Sequence, residues 1–278
     1  MKPARLRYAR PCSIGDAVAL MTEPAGDSWL LAGGQTLIPQ LARRAIRPSL
    51  LVDLGGLGEL RYIRLNAAHL VVGAMTRQRD VECSVIARSA CPLLVRAVNN
   101  MGNRQVRNVG TIGGVLAYAD PRAQLPVVAL ALDAHMSLLS AAGSRDVDAD
   151  VFFGGTAPRR RRDEILTEVR FPVFARSRGS FLQFASRPGD VPDVAVALVV
   201  VFDDAERTIA EARIAMTLGA GPSRVRQLEG RLTGLERATA VRAARGDRDL
   251  LGETAVGDAY RRNVAAILIQ RCLAEAVT

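Results

Sequence analysis

The sequence predicts an α+β protein of two domains. Three observations predict it. The chain opens on a strand, glycine turn, helix, strand succession. Apolar runs of strand length recur through the second half, before a helical C-terminus. The 278 residues, 49% of them hydrophobic, suffice for two cores. The expected boundary lies near Pro172, with domains spanning 1–172 and 173–278.

Ser13 followed by Asp16 predicts a helix N-cap with an acidic third residue, and Ala17, Val18, Leu20 and Met21 supply the apolar side of a short first helix. Trp29 to Ala32 reads as a strand that stops at Gly33-Gly34. Thr36, Leu37, Pro39, Leu41 and Ala42 then start a helix. Leu50 to Leu54 is a second buried strand, so the opening segment forms a small parallel unit with a helical crossover. From Leu60 to Gly73 the alternation predicts a hairpin turning near Asn66 to His69. Ile86 to Met101 has a helical period that Pro92 breaks. Leu125 to Leu132 is another helix with Pro126 in its first turn, and Asp120-Pro121 suggests where it is capped. Between these helices, Asn103 to Gly114 is polar and glycine-rich inside an otherwise buried region. Ile165 to Phe171, Phe181 to Ala185, Ala195 to Phe202 and Ile209 to Leu218 are expected to form a second, largely antiparallel layer, although runs this short also suit helices. At the C-terminus an amphipathic helix places Tyr260, Val264, Ile267, Leu268 and Cys272 on one face.

Charge and composition exclude several function classes. The formal charge of +9 comes almost wholly from Arg, since Lys2 is the only lysine, and could signal an anionic partner. Against nucleic acid stand an aromatic content of 4%, dispersed basic residues and the absence of helix-turn-helix, RNP-like or zinc-finger patterns. The run Arg159 to Arg162 reads as a solvated loop before a strand. Cys12, Cys83, Cys91 and Cys272 are scattered without metal-ligand spacing, so no metal site is expected and any iron–sulfur cluster belongs to another chain. The N-terminus lacks the apolar core of a signal peptide, and no stretch approaches the roughly 20 apolar residues of a membrane helix. The expectation is a cytoplasmic protein without membrane insertion. His69 and His135 have no partner ligands nearby in sequence and read as packed or exposed histidines. No GxSxG, HExxH or nucleophile arrangement is present, and no catalytic residue is expected.

Two glycine turns carry what chemistry the sequence does suggest. Gly33 and Gly34 sit where a strand gives way to a helix, which leaves backbone N–H groups unpaired beside the positive end of the helix dipole, a setting for a phosphate. Glycine permits unusual backbone angles and close approach of a ligand, and the Gln35 and Thr36 side chains can add hydrogen bonds. Gly110 to Gly114 offers a second cradle, and two turns converging on a pyrophosphate would explain why a chain without a P-loop or GxGxxG has both. Each turn, taken alone, also suits an ordinary structural loop.

These residues resemble the FAD-binding medium subunit of carbon monoxide dehydrogenase and related xanthine dehydrogenase-type molybdenum hydroxylases. The likeness runs from Tyr8 to Pro11 through AGGQTLIPQL (Ala32 to Leu41), VDL (Val52 to Leu54), VGAMT (Val72 to Thr76), RNVGTIGG (Arg107 to Gly114) and ADPRAQLP (Ala119 to Pro126). It continues through Phe181 to Asp190 and the terminal Tyr260 to Ala276. The two glycine motifs, about 75 residues apart and in the family's order, are together specific.

The resemblance implies a vanillyl-alcohol oxidase-type FAD-binding domain with subdomains of about 1–55 and 56–172, followed by a smaller α+β domain. It implies FAD contacts for Ala32, Gly33, Gly34, Gln35, Thr36 and Leu37 in the first motif, and for Thr111, Ile112, Gly113, Gly114 and Val115 in the second. Asp120, Leu166 and Arg187 match further positions that approach the cofactor. Also implied are partners: a large subunit that carries molybdopterin and oxidises substrate, and a small subunit with two [2Fe–2S] clusters, assembled as a dimer of heterotrimers. This chain would pass electrons through FAD to an external acceptor. It departs from the family pattern at Gln35-Thr36, where His-Ser is common, at Val115, where a polar residue is common, and at Val191-Pro192, where an aromatic residue often lies near the flavin. Two other readings share the same residues: an assembly subunit with impaired flavin function, and a free-standing flavin oxidoreductase.

Overall fold

A computed structural model describes residues 2–23, 27–154, 160–246, 251 and 258–278. The first layer contains β1 (Arg7–Ala9), α1 (Ile14–Met21), β2 (Ser28–Leu31), α2 (Leu37–Ala42) and β3 (Leu50–Asp53). Both β1 and β2 pair with β3 in parallel, so the predicted crossover unit is present with one extra strand. Only three mostly exposed residues form β1, too few for a periodic signal. Ser13 caps α1 as expected, its Oγ accepting the Asp16 N–H at 3.1 Å.

The next segment holds β4 (Ile63–Leu65), β5 (His69–Gly73), α3 (Gln78–Cys83), α4 (Val85–Ala90), α5 (Pro92–Asn99), α6 (Arg104–Val109), α7 (Ile112–Tyr118) and α8 (Gln124–Ala131). It ends with β6 (His135–Ser140), β7 (Gly143–Asp148), α9 (Ala149–Phe153) and β8 (Ile165–Pro172). Pro92 separates α4 from α5 as predicted and sits in the first turn of α5. The polar stretch from Asn103 resolves into two short helices, α6 capped by Asn103 and α7 capped by Thr111. Asp120 does not cap α8, whose N-cap is Ala123. Its carboxylate instead accepts the Arg122 N–H at 2.9 Å and closes the turn before the helix, the local hydrogen bond that competes with helical capping.

The third segment contains β9 (Ser177–Phe184), β10 (Val194–Phe202), β11 (Ile209–Thr217), β12 (Pro222–Arg224), α10 (Arg226–Leu232), α11 (Arg237–Gly246) and α12 (Ala259–Val277). Strands β9 to β12 form an antiparallel meander, as expected for that layer. Ile165 to Phe171 is the exception. It belongs to β8, which pairs antiparallel with β5 and β6 in a five-stranded sheet ordered β4-β5-β8-β6-β7. Alternation along a strand fixes its two faces but not its neighbours.

Strand β10 explains how the sheets share a core. On one face Ala195, Ala197 and Val199 join the cluster that includes Leu70, Leu94 and Val128. On the other, Val194, Val196, Leu198 and Val200 pack with Leu268, Ile269 and Leu273 of α12. Two small alanines on the first face suit close approach of α8, a helix buried along its whole length and apolar all round after Gln124, as a helix between layers must be. The phase of α12 differs from expectation. Ala265, Leu268, Ile269, Cys272 and Leu273 are buried, whereas Tyr260 and Ile267 are 62% and 48% exposed. Small Ala265 and Ala276 mark the inward face, and a count of large residues alone misplaces it.

Candidate cofactor site

A cleft of about 410 Å³ lies where the first layer meets α7 and β8. Ala32, Gly33, Gly34, Gln35, Thr36 and Leu37 line it from the β2–α2 turn. Thr111, Gly113, Gly114 and Val115 line it from the start of α7, and Leu166 from β8. The two glycine turns are in contact: Gly33 rests on the backbone of Val109 and Gly110, and a Cβ on Gly114 would come within 3.3 Å of the Ala32 Cβ. Gly34 has φ +69°, a left-handed conformation that a side chain would strain.

The turns differ in the donors they offer. The N–H groups of Gly33, Gly34, Gln35 and Thr36 have no acceptor among the described residues, and Thr36 makes no side-chain cap. They can receive an anion or another acceptor. In the second turn most donors are engaged internally: Ile112 N–H to Thr76 O at 3.0 Å, Gly113 N–H to Ala74 O at 2.9 Å, and Gly114 N–H to the Thr111 hydroxyl at 3.1 Å. The expected symmetry of two N–H cradles is therefore replaced by a division. The β2–α2 turn presents donors, and the α7 turn presents a close-packed glycine surface. Gly113 has no room to change, because an added Cβ would lie 2.4 Å from the Ala74 Cβ.

Three expected contacts fall outside the cleft lining. Ile112 directs its side chain into the core and is fully buried. Asp120 occupies the turn after α7. Arg187 is exposed in the loop between β9 and β10. Val191, in the same loop, is 45% exposed, and Phe184, which ends β9, meets Tyr260 edge to face at 6.1 Å.

Sequence reasoning missed other lining residues. Tyr118 lies one helical turn beyond Gly114 and accepts from Gln40 Nε2 at 3.0 Å, tying α2 to α7; the i, i+4 spacing could have revealed it. Ala74, Met75 and Gln78 follow β5; the first two lie in the VGAMT motif, which could have pointed to them. Asp27, Trp29, Arg160 and Arg162 also line the cleft. Asp27 accepts from Trp29 Nε1 at 2.8 Å and from Arg162 at 3.2 Å. Arg160 is not the solvated loop residue expected: it is half-buried and turned onto main-chain carbonyls. Arg159 lies outside the described residues. The two histidines sit away from the cleft, their rings 6.0 Å apart, with His135 Nδ1 2.6 Å from Asp148.

Residues 4–174 match the family model described as the FAD binding domain in molybdopterin dehydrogenase. Over 98% of its length the chain is 35% identical to the carbon monoxide dehydrogenase medium chain of Hydrogenophaga pseudoflava, covering 97% of that protein. It is 37% identical to the caffeine dehydrogenase subunit beta of Pseudomonas sp. (strain CBB1), over 84% of this chain and 80% of that one. The structure superposes on carbon monoxide dehydrogenase from Hydrogenophaga pseudoflava with a TM-score of 0.88 at 34% identity, covering 99% of this chain and 98% of that one. It superposes on quinoline 2-oxidoreductase from Pseudomonas putida 86 with a TM-score of 0.88 at 30% identity, covering 100% and 98%. The chain belongs to the FAD-binding family of the molybdopterin dehydrogenases, as an oxidoreductase subunit.

Proposed function

We propose that this chain holds FAD in the cleft between the β2–α2 turn and α7, and that it is the electron-transferring medium subunit of a molybdenum hydroxylase. One observation carries the assignment of the site: both glycine turns line a single cleft and touch each other there. The residues fit the cofactor. Gly33 lets the first turn pack on the backbone of Val109 and Gly110, Gly34 supplies its left-handed bend, and four neighbouring N–H groups can donate to phosphate oxygens. Ala74, Met75 and Leu166 supply apolar wall that excludes water from a bound ring system. When bound, FAD supplies the redox chemistry, and the protein supplies position and electrostatics.

Electrons would arrive from the [2Fe–2S] clusters of a small partner subunit, after substrate oxidation on a molybdopterin-carrying large subunit, and leave to an external acceptor. The relatives named as medium chain and subunit beta support this division of labour. The cofactor-binding unit would span 1–172, with subdomains of about 1–55 and 56–172, and 173–278 would form the second unit. A dimer of heterotrimers in the cytoplasm is the matching assembly. Among the described residues no helix is long and apolar enough to cross a membrane.

The purified native complex should show a flavin spectrum, release FAD on denaturation and contain the two partner chains. Its flavin absorbance should bleach when substrate is added without an acceptor. A native complex without flavin would remove the reading. Flavin that stays oxidised while the iron–sulfur clusters are reduced would remove the electron-transfer role and favour an assembly subunit.

A further inference from the structure

Few charged residues line the cleft. Asp27, Arg160 and Arg162 are its charged lining residues. Asp27 and Arg162 pair at 3.2 Å with both side chains exposed, so their charges are screened by each other and by solvent. Arg160 is different. Its Nη1 donates to the carbonyls of Glu164 at 2.6 Å, Arg161 at 3.0 Å and Arg162 at 3.4 Å. The nearest candidate counter-ion, the Glu164 carboxylate, is held by Arg145 at 2.5 and 2.9 Å and by the Arg161 N–H at 2.7 Å. Arg160 therefore has carbonyl anchors but, among the described residues, no carboxylate partner. All its anchors grip one nitrogen, and Nε and Nη2 have no acceptor among the described residues.

Carbonyl oxygens orient a guanidinium without neutralising it. Burial disfavours its charged form, offset only in part by Glu164 and Asp163, yet guanidinium stays protonated in proteins. The result is a fixed cation at the wall of a cleft. A dinucleotide brings a pyrophosphate with about two negative charges, and the β2–α2 turn meets it with uncharged N–H donors alone. Among the described lining residues, Arg160 is the cation that no carboxylate pairs and that can supply the missing charge.

Resting on the flavin reading above, we propose that Arg160 is a cofactor-binding residue that recognises the adenosine diphosphate half of the dinucleotide, donating from Nε and Nη2 to its acceptor atoms. Arginine's planar fork suits both phosphate oxygens and ring nitrogens. The segment Arg160 to Glu164 is then a selectivity element that favours FAD over FMN, rather than a solvated loop.

Trp29 is the only tryptophan and lines the cleft, so its fluorescence reports occupancy. The full chain, freed of flavin, would be titrated with FAD and with FMN, as wild type, Arg160→Gln and Arg160→Lys. Arg160→Gln should weaken FAD at least about tenfold, equivalent to about 1.4 kcal/mol, and FMN by less than about twofold. Arg160→Lys should fall between. ADP should compete with FAD on the wild type and lose that competition in Arg160→Gln. Competition by ADP but not adenosine assigns the contact to phosphate, and equal competition by adenosine assigns it to the base. Unchanged FAD affinity in a folded Arg160→Gln, or equal losses for FAD and FMN, would overturn the proposal while leaving the flavin reading intact. If Arg160→Gln does not fold, Arg160→Lys decides by the same FAD-to-FMN comparison. A wild-type chain that takes up no FAD would instead defeat the flavin reading itself.

Discussion

Gly33 and Gly110 meet backbone to backbone: a Cβ on Gly33 would lie 2.8 Å from the Gly110 Cα and 2.5 Å from the Val109 carbonyl oxygen. Neither atom belongs to a flexible side chain, so Gly33→Ala must push the two turns apart. Overpacking of this kind costs about 1–3 kcal/mol. The same displacement would move the free N–H groups beside Gly33. The variant is expected to melt lower than wild type and to purify with less than about a tenth of the flavin, a loss of roughly 1.4 kcal/mol or more in binding. Flavin-to-protein absorbance and a melting curve check both. Full flavin content at reduced stability would separate the packing role from the cofactor role and count against the proposed site.

The glycine turns were legible because their signal is local: an apolar strand, two glycines and a helix start occupy consecutive positions. The contact between them was not, since nothing at Gly33 points to Gly110. Arg160 was misread for a related reason. A run of arginines looks solvated when only composition is considered, and its inward turn depends on the carbonyl of Glu164. The segment Ile165 to Phe171 is legible as a strand but not its sheet, because pairing with β5 and β6 spans the intervening helices. For α12 the amphipathic pattern was real and its phase was wrong, since small alanines define the buried side.

Arg224 joins the two halves of the molecule. Its Nη1 contacts Asp133, after α8, at 2.5 Å, and its Nε and Nη2 contact Glu229 of α10 at 2.7 and 2.9 Å. Glu229 also accepts the Ile214 N–H of β11 at 2.7 Å. Both Arg224 and Glu229 side chains are 9% exposed, against 39% for Asp133. Glu229→Ala strands a buried cation and an N–H group and is expected to cost about 3–5 kcal/mol. Asp133→Ala should cost about 1 kcal/mol, because its carboxylate is partly solvated. Urea unfolding of the two variants measures the contrast, and equal costs would contradict the ranking by burial.

Glu164 makes stability depend on acid. The hydrogen bond from Arg145, joined by the Arg161 N–H and the charges of both arginines, holds its carboxyl below the ordinary 4.5, and burial opposes this only in part. A depressed folded pKa contributes stability that is present above the unfolded value and lost as pH falls through the folded one. Glu164→Gln should therefore cost about 1.5–3 kcal/mol at neutral pH, the range for hydrogen bonds to charged groups. That gap should narrow progressively as pH falls below about 4.5. Urea midpoints at neutral and acid pH test it. A gap that stays constant would show that the carboxylate's charge contributes nothing.

Thr111 separates two roles that the resemblance merges. Its position implies a cofactor contact, and it lines the cleft, but its hydroxyl accepts the Gly114 N–H at 3.1 Å and caps α7. The side chain is buried at 4% exposure, so Thr111→Val leaves that N–H without an acceptor. Loss of such a cap costs about 1 kcal/mol. Thr111→Ser keeps the oxygen and should restore most of the stability. The flavin content should follow the same order, wild type and Thr111→Ser above Thr111→Val, because Gly113 and Gly114 are held in place by this cap and by Ala74. If Thr111→Val lost stability but kept full flavin, the cap would be structural only, and the α7 turn would contribute to the cleft through its glycines alone.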